Sequence, residues 1–260
     1  QDDAHIICTR EQVEDEISAA LFFSLNILKQ FNFKTFKLYI STKPKEKYVG
    51  SSDDWNLAEH SLKQSVEKTG IPYEIDEGGG AFYGPKIDIK IEDAIGRQWQ
   101  CSTIQFDFNL PTQFSMNFIN KNGEKEKPFM IHRALLGSLE RFFGILIEHY
   151  GGWFPLWLAP IQCRILTISS DVNSYSQDVL DSLKKRNWRV ECDSSSEKIG
   201  YKIRQAISGK IPLLIIIGKN EMNDKTISIR QKNNSLGSMT LDQFLEKFDN
   251  SNSNIIDNDN

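Results

Sequence analysis

The 260-residue chain has no uninterrupted apolar run near the roughly 20 residues that a bilayer-spanning helix needs, which argues against a membrane span of that kind. Its cysteines number four (Cys8, Cys101, Cys163 and Cys192), and no two have CxxC spacing. That scatter argues against a disulfide framework and a zinc knuckle, and points to a reducing, cytoplasmic setting. A secretory leader is missing as well. The chain opens Gln1-Asp2-Asp3 without an initiator Met or an apolar stretch, so a fragment or processed product is expected. Histidine is scarce, with four in all, and no two sit at metal-site spacing.

What is present suits an ordinary globular protein, with 39% hydrophobic and 25% charged residues. At roughly 100–200 residues per domain, this length suggests two domains. The net charge of −4 is unevenly spread: residues 1–160 carry −5, residues 161–250 carry +3 and the tail −2. A mildly basic C-terminal domain can meet phosphates.

Thr9 and Gln12 have the form of a capping box opening a helix over 10–31, with Val13, Ile17, Leu21, Leu25 and Leu28 on its buried face. Phe36, Leu38 and Ile40 alternate as a half-exposed strand, and 55–68 reads as a short amphipathic helix. Ile87, Ile89 and Ile91, then residues 98–108, form two strands around Asp93 and Gly96, an antiparallel hairpin. Residues 128–132 lead into a helix over 133–149, with Leu135, Leu139, Phe142 and Leu146 on one face. Together these give an α+β domain over 1–160. Residues 153–160 hold two prolines and read as a linker. Strands at 163–169, 188–193, 212–218 and 226–231 alternate with helices at 173–186, 197–208 and 240–248. That order predicts an α/β domain over 161–250 with a mostly parallel sheet. Residues 251–260, rich in Asn, Ser and Asp, read as a disordered tail.

Several residues can do chemistry, each beside a plainer role. Gly78-Gly79-Gly80 fits no nucleotide-binding fingerprint and reads as a flexible turn, although Tyr83 and Lys86 beside it can line a polar pocket. In Gln98 to Phe108, strict alternation puts Gln100, Ser102 and Ile104 on one face and Cys101, Thr103 and Gln105 on the other. Such a strand either lines a site or turns one face to solvent. Gly137 and Ser138 lower helix propensity, and small residues there permit a close approach. Arg141 is either a surface ion-pair partner or a donor fork for phosphate. His5 and His132 are each either hydrogen-bonded structural residues or metal ligands.

The strings QDDAHIICT, GGGAFYGPKIDI, RQWQCSTIQFDFNLP, MIHRALLGSLERFFGILIEHYGGWFPLWLAP and EKIGYKIR, in this order, resemble class II aminoacyl-tRNA synthetases, the threonyl-tRNA synthetases in particular. The resemblance runs from Gln1 to about Phe248. It implies part of an antiparallel-sheet catalytic domain followed by an α/β anticodon-binding domain. The implied activity is ATP-dependent formation of threonyl-adenylate and transfer of threonine to its tRNA. QDDAHIICT is similar to the second half of motif 2, and GSLERF to motif 3, whose Arg141 would stabilise charge on ATP. By the same resemblance Asp3 neutralises the threonine ammonium, and Gln1 and Tyr83 line the amino-acid pocket with Thr103, Gln105 and Cys101. Gln100 and Ser138 contact nucleotide, and Lys86 borders the adenylate.

The family holds one Zn2+ with two His and one Cys. His5 and His132 match the two histidines, and the Cys ligand is expected upstream of Gln1. Zinc coordination explains rejection of valine, which lacks threonine's hydroxyl, but not of serine, so an upstream editing domain is the family's answer. Mg2+ accompanies ATP, and homodimerisation is the family expectation. In the second domain Glu221 and Arg230 match anticodon-reading positions, and Lys202 and Arg204 are further candidates to meet RNA. Ser196 and Lys210 depart from the family's frequent Asn and Arg. The fragment alone is expected to be inactive, because motif 1, the motif-2 Arg and the Cys ligand would all precede Gln1.

Overall fold

In the computed structural model, which describes residues 1–253 with side chains to residue 249, the chain divides into compact units Gln1–His149 and Tyr150–Asn260. The first unit starts with β1 (Ala4–Cys8) and a single 3-10 turn, whose Gln12 side chain accepts the Thr9 N–H at 2.9 Å. Helix α1 (Val13–Gln30) follows and buries Val13, Ile17, Leu21, Leu25 and Leu28, the stripe that a 3.6-residue period demands. Strand β2 (Phe36–Ser41) leads to α2 (Ser52–Lys68), where the Ser51 hydroxyl accepts the Asp54 N–H. A strand that the alternation did not predict, β3 (Tyr73–Asp76), runs parallel to β2.

Strands β4 (Lys86–Glu92) and β5 (Gln98–Asp107) form the expected antiparallel hairpin. A short helix α3 (Leu110–Gln113) and the small strands β6 (Phe118–Ile119) and β7 (Lys125–Glu126) precede β8 (Phe129–Ala134). The sheet order is β1-β8-β5-β4-β2-β3, antiparallel throughout except for β2 and β3. Ile87, Ile89, Ile91, Ile104 and Phe106 are buried on its core face, leaving the other face of β4, β5 and β8 to polar side chains.

Two local expectations change here. The helix expected over 133–149 is α4 (Leu139–Tyr150). Arg133 and Ala134 are held extended by pairing with β1 and β5, and the Asp2 carboxylate accepts the N–H groups of Leu135 and Leu136. Gly137 then turns at φ 69°, so Gly137 and Ser138 precede the helix and do not interrupt it. Leu139 is consequently 49% exposed, while Phe142, Ile145 and Leu146 form the buried face.

The second correction is a β-bulge. Opposite Ile89 and Lys90 the register jumps from Ser102 to Gln100, leaving Cys101 unpaired. The extra residue moves Gln100 to the face of Thr103 and Gln105, against the strict alternation that placed it with Ser102 and Ile104.

The second unit has β9 (Cys163–Thr167), α5 (Asn173–Lys185), β10 (Val190–Asp193), α6 (Ile199–Ser208), β11 (Leu213–Ile217), α7 (Lys219–Asp224), β12 (Ile227–Gln231), β13 (Asn234–Met239) and α8 (Leu241–Ser253). Its sheet order is β10-β9-β11-β12-β13. Val179, Leu183, Phe244 and Phe248 pack on one side, and Ala206 and Ile211 with Leu166 and Leu214 on the other. The expected mostly parallel sheet is half so. β10, β9 and β11 are parallel, but β11, β12 and β13 pair antiparallel. The link from β11 to β12 is too short for the dozen or more residues of a parallel crossover. α7 and β13 escaped the sequence reading because one is under two turns long and the other lies at the sheet edge with little apolar alternation. The expected tail overlaps the last turn of α8 at 251–253, and residues 254–260 lie outside the described residues.

Candidate active site

The polar face of β4, β5 and β8 floors an open cavity of about 680 Å³ in the first unit. Of the residues singled out from sequence, Gln1, Asp3, Tyr83, Lys86, Gln100, Cys101, Thr103, Gln105, His132 and Arg141 all line it. His5 and Ser138 do not. His5 stands one strand over, paired with His132 in register, with their rings 4.6 Å apart and edge-on. Ser138 sits before α4, its hydroxyl at 3.4 Å from the Arg141 N–H.

Asp88, which lies in the GGGAFYGPKIDI string without a role assigned to it from sequence, organises one side of the floor. It is 5% exposed and accepts from Lys86 Nζ, from Gln100 Nε2 at 2.7 Å and from Thr103 Oγ1 at 2.9 Å. A buried carboxylate with three donors fixes three side chains that would otherwise sample several rotamers. The bulge makes this possible by bringing Gln100 to the Asp88 face. The signal was present in Ile87-Asp88-Ile89, a lone carboxylate alternating with core isoleucines.

At the other side, Tyr83 donates to Gln105 Oε1 at 3.1 Å. Burial, then the Asp107 charge, raises the Tyr83 phenol above its ordinary value, so it remains a donor at neutral pH. Asp107 holds His132 Nε2 at 2.8 Å through Oδ2 and accepts the N–H groups of Asn109 and Leu110 through Oδ1. A carboxylate that fixes one imidazole nitrogen leaves the other free to ligate, the usual support of a metal-bound histidine. His5 and His132 thus supply two adjacent nitrogen donors of the chemistry Zn2+ takes, and no group of three His, Cys, Asp or Glu arranged to hold a metal ion exists among the described residues. Burial pushes the Cys101 thiol up to about 11, with Arg141 opposing, and burial followed by the Glu16 charge pushes Cys8 up to about 11. Both therefore stay protonated near neutrality and are poor substitutes for a thiolate ligand.

Arg141 reaches back from the first turn of α4. Its Nη2 donates to Gln100 O at 2.6 Å and its guanidinium lies 5.9 Å from the Trp99 ring centre, which fixes the fork at the cavity wall. A Cβ on Gly137 would lie 3.0 Å from Cys101 O and 3.1 Å from Arg141 Nη2, so glycine is what lets strand and guanidinium approach. Arg133, a further lining residue, buries an Nε without a hydrogen-bond partner among the described residues. The Gly78-Gly79-Gly80 segment is not a slack turn. Gly78 N and Gly80 N bond Thr42 Oγ1 and O at 3.0 and 2.8 Å, and Gly79 N bonds Asp76 O.

In the second unit the four RNA candidates separate. Arg204 is exposed on α6. Arg230 donates to Lys232 O and Asn233 O at 3.2 and 3.1 Å, next to the β12–β13 turn. Glu221 accepts Gly218 N–H at 2.9 Å and the Ser228 hydroxyl at 2.7 Å. Burial works against its charge, but those donors win and hold its carboxyl below the ordinary value. Lys202 is a correction. It is 1% exposed, and its Nζ donates to Thr167 O and Asp193 O, both at 3.0 Å, tying the ends of β9 and β10. An ammonium spent inside the fold in this way is not presented to RNA.

Residues 1–150 match the family described as tRNA synthetase class II core domain (G, H, P, S and T), and residues 162–251 match the anticodon binding domain. The chain is 51% identical over 249 residues to a threonine–tRNA ligase of Sulfurihydrogenibium sp., which takes in 95% of this chain and 38% of the relative. It is also 51% identical over 247 residues to that of Aquifex aeolicus, covering 95% and 39%. The chain thus spans about two fifths of the length of these curated relatives. A crystal structure described as the RNA binding domain of threonyl-tRNA synthetase from Cryptosporidium parvum superposes with TM-score 0.90 at 41% identity, over 96% of this chain and 63% of that one. The chain belongs to the class II aminoacyl-tRNA synthetases, carrying their core domain over its first unit and their anticodon-binding domain over its second.

Proposed function

We propose that this chain works as part of a threonine–tRNA ligase, its first unit holding the threonyl-adenylate and its second engaging the tRNA anticodon. The observation that carries the reading is the cavity floor. Asp3, Tyr83, Gln105 and His132 line the same cavity as Gln100, Lys86 and Arg141. A carboxylate, a phenol and an amide suit an amino acid's ammonium and hydroxyl, while a lysine, an amide and an arginine fork suit a nucleotide phosphate. Identity of 51% over 95% of this chain to threonine–tRNA ligases supports the choice of threonine.

In this reading a threonine carboxylate oxygen forms a bond to the α-phosphorus of ATP while the bond to pyrophosphate breaks, and pyrophosphate leaves. A ribose hydroxyl at the tRNA 3′ end then takes the acyl group and AMP leaves. Neither step needs a covalent bond to the protein, so positioning and charge stabilisation are its contribution. Asp3 binds the ammonium, with Gln1 beside it. Tyr83 and Gln105 orient the side chain, and Thr103 and Cys101 close the wall. Gln100, fixed by Asp88, and Lys86 hold the adenylate, Ser138 borders the nucleotide, and Arg141 meets the charge that develops on the phosphates. His5 and His132 would hold Zn2+, with a third ligand from outside this chain. Bound there, the metal would supply a Lewis-acid seat for the amino nitrogen and hydroxyl, which valine cannot fill. Mg2+ would accompany ATP. Arg204, Glu221 and Arg230 would face the anticodon, whose unpaired bases are open to side chains. A cytoplasmic homodimer is the assembly we propose.

The test is threonine-dependent ATP–pyrophosphate exchange by the enzyme that carries this chain, with zinc content measured in parallel. His132→Ala is expected to lower both together. An unchanged zinc stoichiometry would remove His132 from the ligand set, and exchange driven equally well by another amino acid would overturn the threonine reading.

A further inference from the structure

The turn between β4 and β5 lies at the far end of the hairpin from Lys86, yet its side chains reach the cavity's arginine. Asp93 is its hub. The Asp93 side chain is fully buried and accepts the Trp99 indole N–H at 2.8 Å and Arg97 Nε at 2.6 Å. It also accepts the backbone N–H groups of Ile95 and Arg97, at 3.0 and 2.9 Å. A carboxylate held by its own turn in this way gives the indole one orientation.

Two guanidiniums meet that indole. Arg97 Cζ lies 5.5 Å and Arg141 Cζ 5.9 Å from its ring centre, both within the roughly 6 Å reach of a cation–π contact. Two like charges about one ring repel, and the Asp93 carboxylate bonded to the ring supplies the opposite charge. Helix α4 is tied to the hairpin at a second point. Glu148, seven residues after Arg141 and so on the same helix face, accepts Arg97 Nη2 at 2.9 Å. An exposed arginine is ordinarily among the most mobile side chains. This one has the Gln100 carbonyl at 2.6 Å from Nη2, an indole beside its plane and a helix braced two turns further on. Packing at a hairpin end would be served by any large apolar residue. It does not call for an indole N–H bonded to a buried carboxylate, nor for a guanidinium on the ring.

We propose that Trp99 is a positioning residue for Arg141: the π-face of the indole, aimed by Asp93, holds the guanidinium at the cavity wall in the orientation that receives ATP. The inference rests on the reading of Arg141 as the arginine that meets the nucleotide. Trp99 does not line the cavity, so it touches no substrate and acts through Arg141. The turn of the hairpin thereby sets the geometry of a site formed at its other end, and the fork is in place before the nucleotide arrives.

The experiment is threonine-dependent ATP–pyrophosphate exchange by the enzyme that carries this chain, with tryptophans bearing successively more fluorines placed at position 99 by amber suppression. Fluorine drains the negative face of the ring but keeps its shape and its N–H, so packing and the Asp93 bond persist while the cation–π attraction fades. Each added fluorine is expected to lower kcat/KM for ATP by a similar factor, reaching about fivefold in all, the scale of one cation–π contact. The KM for threonine and the melting temperature should stay level across the series. Trp99→Phe and Trp99→Leu both lose the bond to Asp93, and the phenyl ring should retain more of kcat/KM for ATP than leucine does. The proposal is overturned if kcat/KM for ATP is flat across the fluorinated series, or if the KM for threonine shifts by as much as kcat/KM for ATP does. Arg141→Ala separates the two readings. Undiminished kcat/KM for ATP in that variant counts against Arg141 as the nucleotide's arginine, whereas a loss there with a flat fluorine series counts against Trp99 alone.

Discussion

Asp88 shows how one side chain sets the chemistry of others. Lys86, Gln100 and Thr103 are polar residues with several rotamers each, and the same buried carboxylate ties all three down. Asp88→Ala removes the common acceptor and strands a lysine beside a hole. Binding of a threonyl-adenylate analogue should weaken by roughly tenfold to a hundredfold, the scale of one to three kcal/mol for a lost charged hydrogen-bond centre. Calorimetric titration checks it, and unchanged affinity would mean that those three side chains do not touch the ligand. Asp93 is the comparable residue of the β4–β5 turn. Burial disfavours its charge, but the Trp99 indole, the Arg97 side chain and the N–H groups of Arg97 and Ile95 outweigh burial and hold the carboxyl well below the usual range. A carboxyl depressed on folding contributes stability that is complete above its unfolded value, about 3.9, and is lost as pH falls through the lower folded value. Asp93→Asn should therefore lower the melting temperature at pH 7, and the gap from the unmodified chain should close as the pH drops below about 3.9. Thermal melts followed by circular dichroism across that range would expose a contrary, pH-independent gap.

At the scale of elements, one inserted residue and a few glycines decide what reaches the cavity. The bulge at Cys101 turns Gln100 toward Asp88 and lets Arg141 Nη2 take the Gln100 carbonyl. Gly84 lets the loop before β4 lie against β5, with no room for a methyl beside Phe106 O. Gly84→Ala should push the Tyr83 loop away, costing about 1–3 kcal/mol of stability as other overpacked sites do. Urea titration should show a lower midpoint at unchanged slope, and a variant as stable as the original would refute the close approach. The helix carrying Arg141 owes its start to Gly137, which takes the left-handed conformation where an α-helix had been expected to run on.

Over the whole molecule, each unit has its own sheet and its own buried cluster, as independent folding requires. Residues 150–260 expressed alone should unfold in one cooperative transition, with near-coincident fluorescence and circular-dichroism midpoints. Non-coincident or absent transitions would mean that the second unit needs the first. A +3 charge over 161–250 alone says little about RNA, and the structure lowers the number of available cations further by burying Lys202. Of the three cations proposed to meet RNA, Arg204 is exposed and Arg230 is pinned at a turn.

The sequence by itself determined the elements with a clear period and the family. The stripe on α1, the β4–β5 hairpin and the alternating order of the second unit are local signals, because apolar spacing reports which face is buried wherever the chain is regular. Ten of the residues that the family strings singled out line one cavity, although they come from segments far apart in the sequence. Only the tertiary structure decided where regularity breaks. A one-residue bulge inverts the faces beyond it, and a strand paired on both sides overrides a helical pattern, as Arg133 and Ala134 show. Pairing partners far along the chain set both outcomes, so no window of sequence contains them. Burial is decided the same way: Lys202 reads as a surface cation until α6 is laid against the ends of β9 and β10, where two carbonyls claim its ammonium.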